Sequence, residues 1–161
     1  MENVKGATTL LTKNLLLVFL ILLPVTANNE ELPAESDVRA VKVSEMPGYT
    51  EGVVVDRDGV LYISDVYNGT IYRIAADGEA RVWAKTGAPN GHKILPDGTH
   101  LVCDGSQHAV LHLDAAGKTI GKAASEYSGK PLRSPNDLTL DPKGGFYFTD
   151  RHKCFICNQI G

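Results

Sequence analysis

The chain repeats one turn three times between residues 51 and 150, and that repetition constrains its fold more than any other feature. The segments are EGVVVDRDGVLYISDVYNGTIYRIAADG (51–78), NGHKILPDGTHLVCDGSQHAVLHLDAAG (90–117) and NDLTLDPKGGFYFTD (136–150). Their matching turn residues are Asp58, Asp97 and Lys143, spaced 39 and 46 residues apart. Between the turns lie short runs rich in Val, Ile, Leu and Tyr, which suit strands on a half-buried sheet. In the first segment these runs predict strands at 53–56, 61–64, 70–74 and 81–84. The second follows the same order, with strands at 101–103 and 109–113. Asp58-Gly59, Asn68-Gly69 and Asp77-Gly78 are hairpin signals. Helical spacing of apolar residues is absent after residue 40. An all-β chain with a four-stranded unit roughly every 40 residues reads as a series of propeller blades.

The repeat also sets three polar residues in one register. Glu51, Asn90 and Asn136 each lie seven residues before the matching turn residue. Each opens the first strand of its repeat, the strand that lines the central channel of a propeller. One carboxylate and two carboxamides at one level offer hard oxygens, the ligand type Ca²⁺ takes. They offer no thiolate or imidazole, which would favour zinc or copper. Singly, Asn90-Gly91 and Pro135-Asn136-Asp137 read as ordinary turn chemistry. The shared register is what points to a site.

The remaining chemistry-bearing residues point less far. No Gly-x-Ser-x-Gly occurs, so a serine-hydrolase elbow is not supported. The histidines, His92, His100, His108, His112 and His152, lie in no metal-ligand spacing. His92, two past Asn90, reads as packed or exposed. Cys103 in LVCD reads as a buried small thiol. Cys154 and Cys157 form a single CxxC, half of a zinc ribbon at most. The formal net charge of −3 carries no basic excess, so a nucleic-acid partner is not expected.

The segments flanking the repeats have their own signals. Residues 15–23 read LLLVFLILL, nine apolar residues where a membrane span needs about 20. Lys5 and Lys13 precede the run, Pro24 breaks it, and Val25-Thr26-Ala27 follows. This is the layout of a signal peptide, residues 1–27, with cleavage after Ala27. The product is expected to be secreted or periplasmic, with no membrane attachment after cleavage. Residues 28–49 read as a lead-in segment, polar, acidic and flexible over 28–37, residues 50–150 as blades 1 to 3, the third partial, and residues 151–161 (RHKCFICNQIG) as a divergent tail.

Three stretches together resemble the SMP-30/gluconolactonase/LRE-like family. EGVVVDRDGVLYISDVYNGTIYRI resembles its opening blade and GAPNGHKILPDGTHLVCDGSQHAVLHLD its second. YSGKPLRSPNDLTLDPKGGFYFTD resembles the stretch in which Ser-Pro-Asn-Asp precedes a Phe-Thr-Asp strand, and this is the most specific part. The resemblance implies a six-bladed β-propeller that hydrolyses sugar lactones such as gluconolactone, with calcium or a similar divalent cation in the channel. It implies that Glu51 is a metal carboxylate, that Asn136 binds metal or substrate, and that Asn90 faces the substrate. It also implies a catalytic Asp in a later blade, so the catalytic residue is not assigned within these 161 residues. About 101 residues match, whereas six such repeats need 234 to 276. The expectation is an N-terminal portion of two to three blades, inactive by itself, with oligomerisation only as a means of completing the ring. Two alternatives stand beside the lactonase reading: a non-enzymatic secreted propeller segment that binds a partner, and a strictosidine-synthase-like propeller. Glu51-Gly52 and the Tyr-Ser-Gly-Lys-Pro stretch favour the lactonase branch.

Overall fold

Three hairpin turns of one design organise the structure, a computed structural model that describes residues 32–151 and the backbone of 153–157. The turns lie at 56–59, 95–98 and 141–144. In each, the glycine N–H donates to the carbonyl three residues earlier: Gly59 to Asp56, Gly98 to Leu95 and Gly144 to Asp141, at 3.0–3.1 Å. Those glycines have φ of 79°, 84° and 88°, where a side chain would be strained. A type I turn closed by such a residue is a common hairpin connection. The same turn chemistry in sequence therefore yields the same backbone three times.

Each turn joins the first two strands of a sheet. Strands β1 (Thr50–Val55), β2 (Leu61–Asp65), β3 (Thr70–Ile74) and β4 (Ala80–Lys85) form one four-stranded sheet in that order. Strands β5 (Pro89–Ile94), β6 (His100–Asp104), β7 (Ala109–Leu113) and β8 (Thr119–Ala124) form the second in the same order. A two-stranded hairpin follows, β9 (Glu126–Tyr127) with β10 (Lys130–Pro131). The third sheet is β11 (Pro135–Leu140), β12 (Phe146–Asp150) and β13 (Lys153–Cys157). All pairings are antiparallel. β3 and β7 coincide with the runs marked in sequence, β2, β4 and β6 run one or two residues longer, and β1 begins three residues earlier and ends one earlier, because ladder hydrogen bonds extend past the apolar runs. One difference is larger. β13 brings a third strand to the last sheet from within residues 151–161, the segment that reads in sequence as a divergent tail.

The middle sheet shows why the repeats pack face to face. Its strand β6 is buried along its whole length, since both faces meet a neighbour. Val102, Leu111 and Leu113 face the first sheet and pack with Val60, Tyr62, Ile71 and Ala84. Leu101, Cys103 and Val110 face the third and pack with Leu132, Leu138, Phe146 and Phe148. Alternation along the strand thus feeds two cores. The first sheet has one such neighbour among the described residues, and Val53 and Val55 on its other face are 59% and 57% exposed.

The chain divides into two units, residues 1–39 and 40–161. The first unit carries a 3-10 turn at Glu35–Asp37. The expected signal peptide, residues 1–27, lies outside the described residues. No helix among the described residues is long and apolar enough to cross a membrane.

Candidate functional site

The three register-matched residues each sit at a break in a ladder. Glu51, Asn90 and Asn136 are the second residues of β1, β5 and β11. The β1–β2 register slips between Glu51 and Val54, the β5–β6 register between Pro89 and His92, and the β11–β12 register between Pro135 and Leu138. Each slip is one extra residue in the first strand, a β-bulge: it follows Glu51, which still pairs with Ser64, and it takes in Asn90 and Asn136 in the other two strands. Bulges re-aim side chains and are frequent beside functional sites.

The bulges also touch one another. A Cβ on Gly52 would overlap the Asn90 carbonyl oxygen, and a Cβ on Gly91 would stand 2.6 Å from the Asp137 Cα and 2.8 Å from the Asn136 carbonyl oxygen. The backbones of β1, β5 and β11 are therefore stacked at the level of the three candidates, and glycine permits it. In the third sheet Asp137 occupies the position that Gly52 and Gly91 hold in the others. Its carboxylate leans over Gly91, beside Asn90. Sequence reasoning had treated Asp137 as turn chemistry, so this second carboxylate was missed.

Buried aspartates hold the approach to each bulge. Asp65, Asp104 and Asp150 pair with Thr50, Pro89 and Pro135, the residues just before the candidates. All three are buried. Asp104 accepts hydrogen bonds from the N–H groups of Gly87, Ala88 and Gln107 at 2.8–3.1 Å. Asp150 accepts from Arg133 and Ser134. Asp65 accepts from the N–H and side-chain amide of Asn68, and its carboxylate fills the space where a side chain on Gly48 would go. A buried carboxylate with two or three N–H partners is satisfied, which makes these aspartates struts. The signal was in the sequence as Ser-Asp, Cys-Asp and Thr-Asp at the ends of the second strands.

Around the candidates the surroundings differ. Glu51 and Asn90 are half-buried and Asn136 is exposed. Glu51 Oε1 accepts a hydrogen bond from the Tyr49 hydroxyl at 2.9 Å. That bond and the adjacent negative charge raise the Tyr49 pKa above its ordinary value. The Tyr49 ring stacks on Tyr67, with centroids 5.3 Å apart and planes at 26°.

His92 belongs elsewhere. It is 1% exposed and lies between the first two sheets, its Nε2 2.8 Å from His100 Nδ1. Tyr62 and Trp83 pack edge-on and face-on against the pair. Burial first, then the charges of His100 and Lys93, push the His92 pKa down to about 3. Burial also lowers that of His100, opposed by Asp56. Cys103 is a free, buried thiol whose pKa is pushed well up by burial. The CxxC cysteines fall on β13, whose side chains are outside the described residues.

A groove opens at the far end of the strands, lined by Asp56, Asp58, Tyr62, Asp97 and His100. Its carboxylates are used locally: Asp56 and Asp97 cap their own turns. The convergence of three bulges places the candidate site at the other end.

The donor set there suits a hard cation. Glu51 supplies a carboxylate, and Asn90 and Asn136 supply amide oxygens. No group of three or more His, Cys, Asp or Glu side chains able to hold a metal occurs among the described residues, as expected where amides make up most of the set.

Four-stranded repeats, stacked first strands and a shared bulge define a β-propeller segment with its polar positions on the inner strands. The chain belongs to the SMP-30/Gluconolactonase/LRE-like region family, whose sequence signature matches residues 49–158. It is 38% identical over 61 residues to a gluconolactonase of Zymomonas mobilis, covering 38% of this chain and 17% of that protein. It is 29% identical over 134 residues to lactonase drp35 of Staphylococcus saprophyticus, covering 79% of this chain and 41% of that protein. Among solved structures, a gluconolactonase from Xanthomonas campestris superposes with a TM-score of 0.63 at 26% identity, over 67% of this chain and 37% of that one. The chain thus spans less than half the length of the relatives it matches.

Proposed function

We propose that this chain contributes the first blades of a secreted or periplasmic hydrolase of sugar lactones, gluconolactone being the reference substrate. The single observation that carries the reading is the bulge repeated at Glu51, Asn90 and Asn136 on three stacked inner strands. The names of the relatives, gluconolactonase and lactonase, supply the reaction class.

On this reading Glu51 and Asn136 hold a calcium-type cation, and Asn90 and Asn136 face the substrate. A bound divalent cation polarises a lactone carbonyl and stabilises charge developing on its oxygen. Glu51 brings the one charged donor of the three, so most of the attraction for a cation resides there. The carboxamides of Asn90 and Asn136 carry both donors and acceptors, and that suits them to sugar hydroxyls, which do the same. Asp137, beside Asn90, adds negative charge at the rim. Calcium takes six to eight oxygens, and three side chains supply at most four. The remaining ligands come from water, substrate or residues outside the described ones. For that reason the 161-residue chain by itself is expected to bind calcium weakly and to show little or no lactonase activity.

The test is a calorimetric calcium titration of the chain and of Glu51→Gln, with glucono-1,5-lactone hydrolysis followed by acid release. Glu51→Gln should weaken calcium binding at least tenfold. Equal affinity in the two proteins would remove Glu51 from the site.

A further inference from the structure

The candidate carboxylate is held differently from the two candidate amides. Tyr49 Oη donates to Glu51 Oε1 at 2.9 Å. The Tyr49 ring is itself stacked on Tyr67. The backbone beneath both rings is tied down: the Val66 N–H donates to the Tyr49 carbonyl at 2.9 Å. The loop bearing Tyr67 is anchored on buried Asp65 through Asn68.

The same backbone bond identifies the equivalent positions in the other two repeats. Gly105 N–H donates to the Ala88 carbonyl, and Arg151 N–H to the Ser134 carbonyl. Tyr49 therefore corresponds to Ala88 and Ser134, and Tyr67 to Ser106. Neither Ala88 nor Ser134 can reach across a bulge as a phenol does. The repeats share their turns, bulges and aspartate struts, yet among the described residues the aromatic clamp occurs only in the blade whose candidate residue is itself a carboxylate.

We infer that Tyr49 is a positioning residue for Glu51, with Tyr67 as its brace: the phenol holds the carboxylate in the orientation that receives the cation. This rests on the reading of Glu51 as a cation ligand. A glutamate on a half-exposed strand end samples many rotamers, and ordering it opposes binding. A hydrogen bond from a stacked, backbone-anchored ring makes part of that ordering before the cation arrives. Partners that orient a metal ligand typically change metal affinity 10–100-fold when removed. Partial exposure puts Tyr49 at the lower end, about tenfold.

The experiment uses the full chain, with Ca²⁺ and the tighter-binding hard cation Tb³⁺ as probes. Four variants are compared: Tyr49→Phe, Tyr67→Ala, Glu51→Gln and the double variant Tyr49→Phe with Glu51→Gln. Tyr49→Phe keeps the ring stack, so its melting temperature should match the parent while its cation affinity falls about tenfold. Tyr67→Ala should lose less than Tyr49→Phe. In the Glu51→Gln background, Tyr49→Phe should cause no further loss, because the phenol acts through the carboxylate. Unchanged affinity in Tyr49→Phe, with Glu51→Gln weakened, would overturn the positioning role and leave the cation site standing. An equal loss from Tyr49→Phe in both backgrounds would also overturn it. Unchanged affinity in Glu51→Gln, or no cation binding by the parent at millimolar concentration, would overturn the site itself and this inference with it.

Discussion

Acidification from pH 7 to pH 5 should remove about 2 kcal/mol of stability through one residue, His92. Burial between two sheets holds its folded pKa at about 3, against an ordinary value of 6.5. The unfolded chain therefore takes up a proton as the pH falls below 6.5, while the folded chain does not until near 3. Stability from this group is fully present above pH 6.5 and is lost progressively down to pH 3. At pH 5 the unfolded His92 lies about 1.5 pH units below its midpoint, and each unit is worth about 1.4 kcal/mol. His100, also lowered by burial, acts in the same direction. The groups facing the pair are Asp56, which favours charge on His100, and Lys93, which opposes it on His92. Carboxylates held below their ordinary pKa, such as Asp97, lose their contribution only near and below pH 3.8, so the window from 7 to 5 isolates the histidines. The assay is thermal melting followed by the emission of Trp83, the chain's one tryptophan, whose ring lies against both imidazoles. The parent should melt about 8 °C lower at pH 5 than at pH 7. His92→Phe, which keeps an aromatic ring in the cluster, should lose much less over that range. Parallel pH dependence in the two proteins would refute the assignment.

Other outcomes follow from the same geometry. Asp104→Ala should destabilise the fold by about 3 kcal/mol in denaturant melts, because it strands the N–H groups of Gly87, Ala88 and Gln107 in a buried site. Gly91→Ala should both destabilise the chain, by about 1–3 kcal/mol, and weaken cation binding, since its Cβ would meet backbone of β11 that cannot yield as a side chain can. Gly121→Ala, where a Cβ meets open space and no positive φ is needed, serves as its control. Cys103 should resist a thiol reagent in the folded protein and react on unfolding, read by peptide mass spectrometry. Mass spectrometry of exported material should find Asn28 at the N-terminus; intact residues 1–27 on a membrane-bound product would overturn the signal-peptide reading.

Turn chemistry makes most of the architecture legible in the sequence. Gly59 and Gly98 mark positions only glycine occupies comfortably, and counting back from them put Glu51 and Asn90 in register. Lys143 with Gly144 did the same for Asn136. The bulges were not legible, because an extra residue changes a ladder without changing residue type. The same count aligns Asp137 with Gly52 and Gly91, but only the close stacking of β5 on β11 shows that its carboxylate stands over Gly91. His92 and His100 are eight apart in sequence, and no local pattern says that a hairpin brings their rings to hydrogen-bonding distance. Tyr49 fell one residue outside the repeats as bounded at 50, although the backbone bond to Val66 makes it part of the first blade. β13 was not legible because Lys-Cys-Phe-Ile-Cys carries no alternation of apolar and polar residues to mark a strand.

The repeated bulge has a consequence for how such a chain changes over time. A strand without it ties every residue to a strict in-and-out phase, so altering a polar end residue disturbs the packing two positions on. One extra residue near the start of β1, β5 and β11, a notch just after Glu51 and at Asn90 and Asn136, cuts that tie. Above the notch the chain carries Glu, Asn or Asn; below it, Val54, Ile94 and Leu138 continue to serve the blade-to-blade contacts. The three notches behave as interchangeable sockets on a common frame, and chemistry can be swapped at one of them without renegotiating the frame.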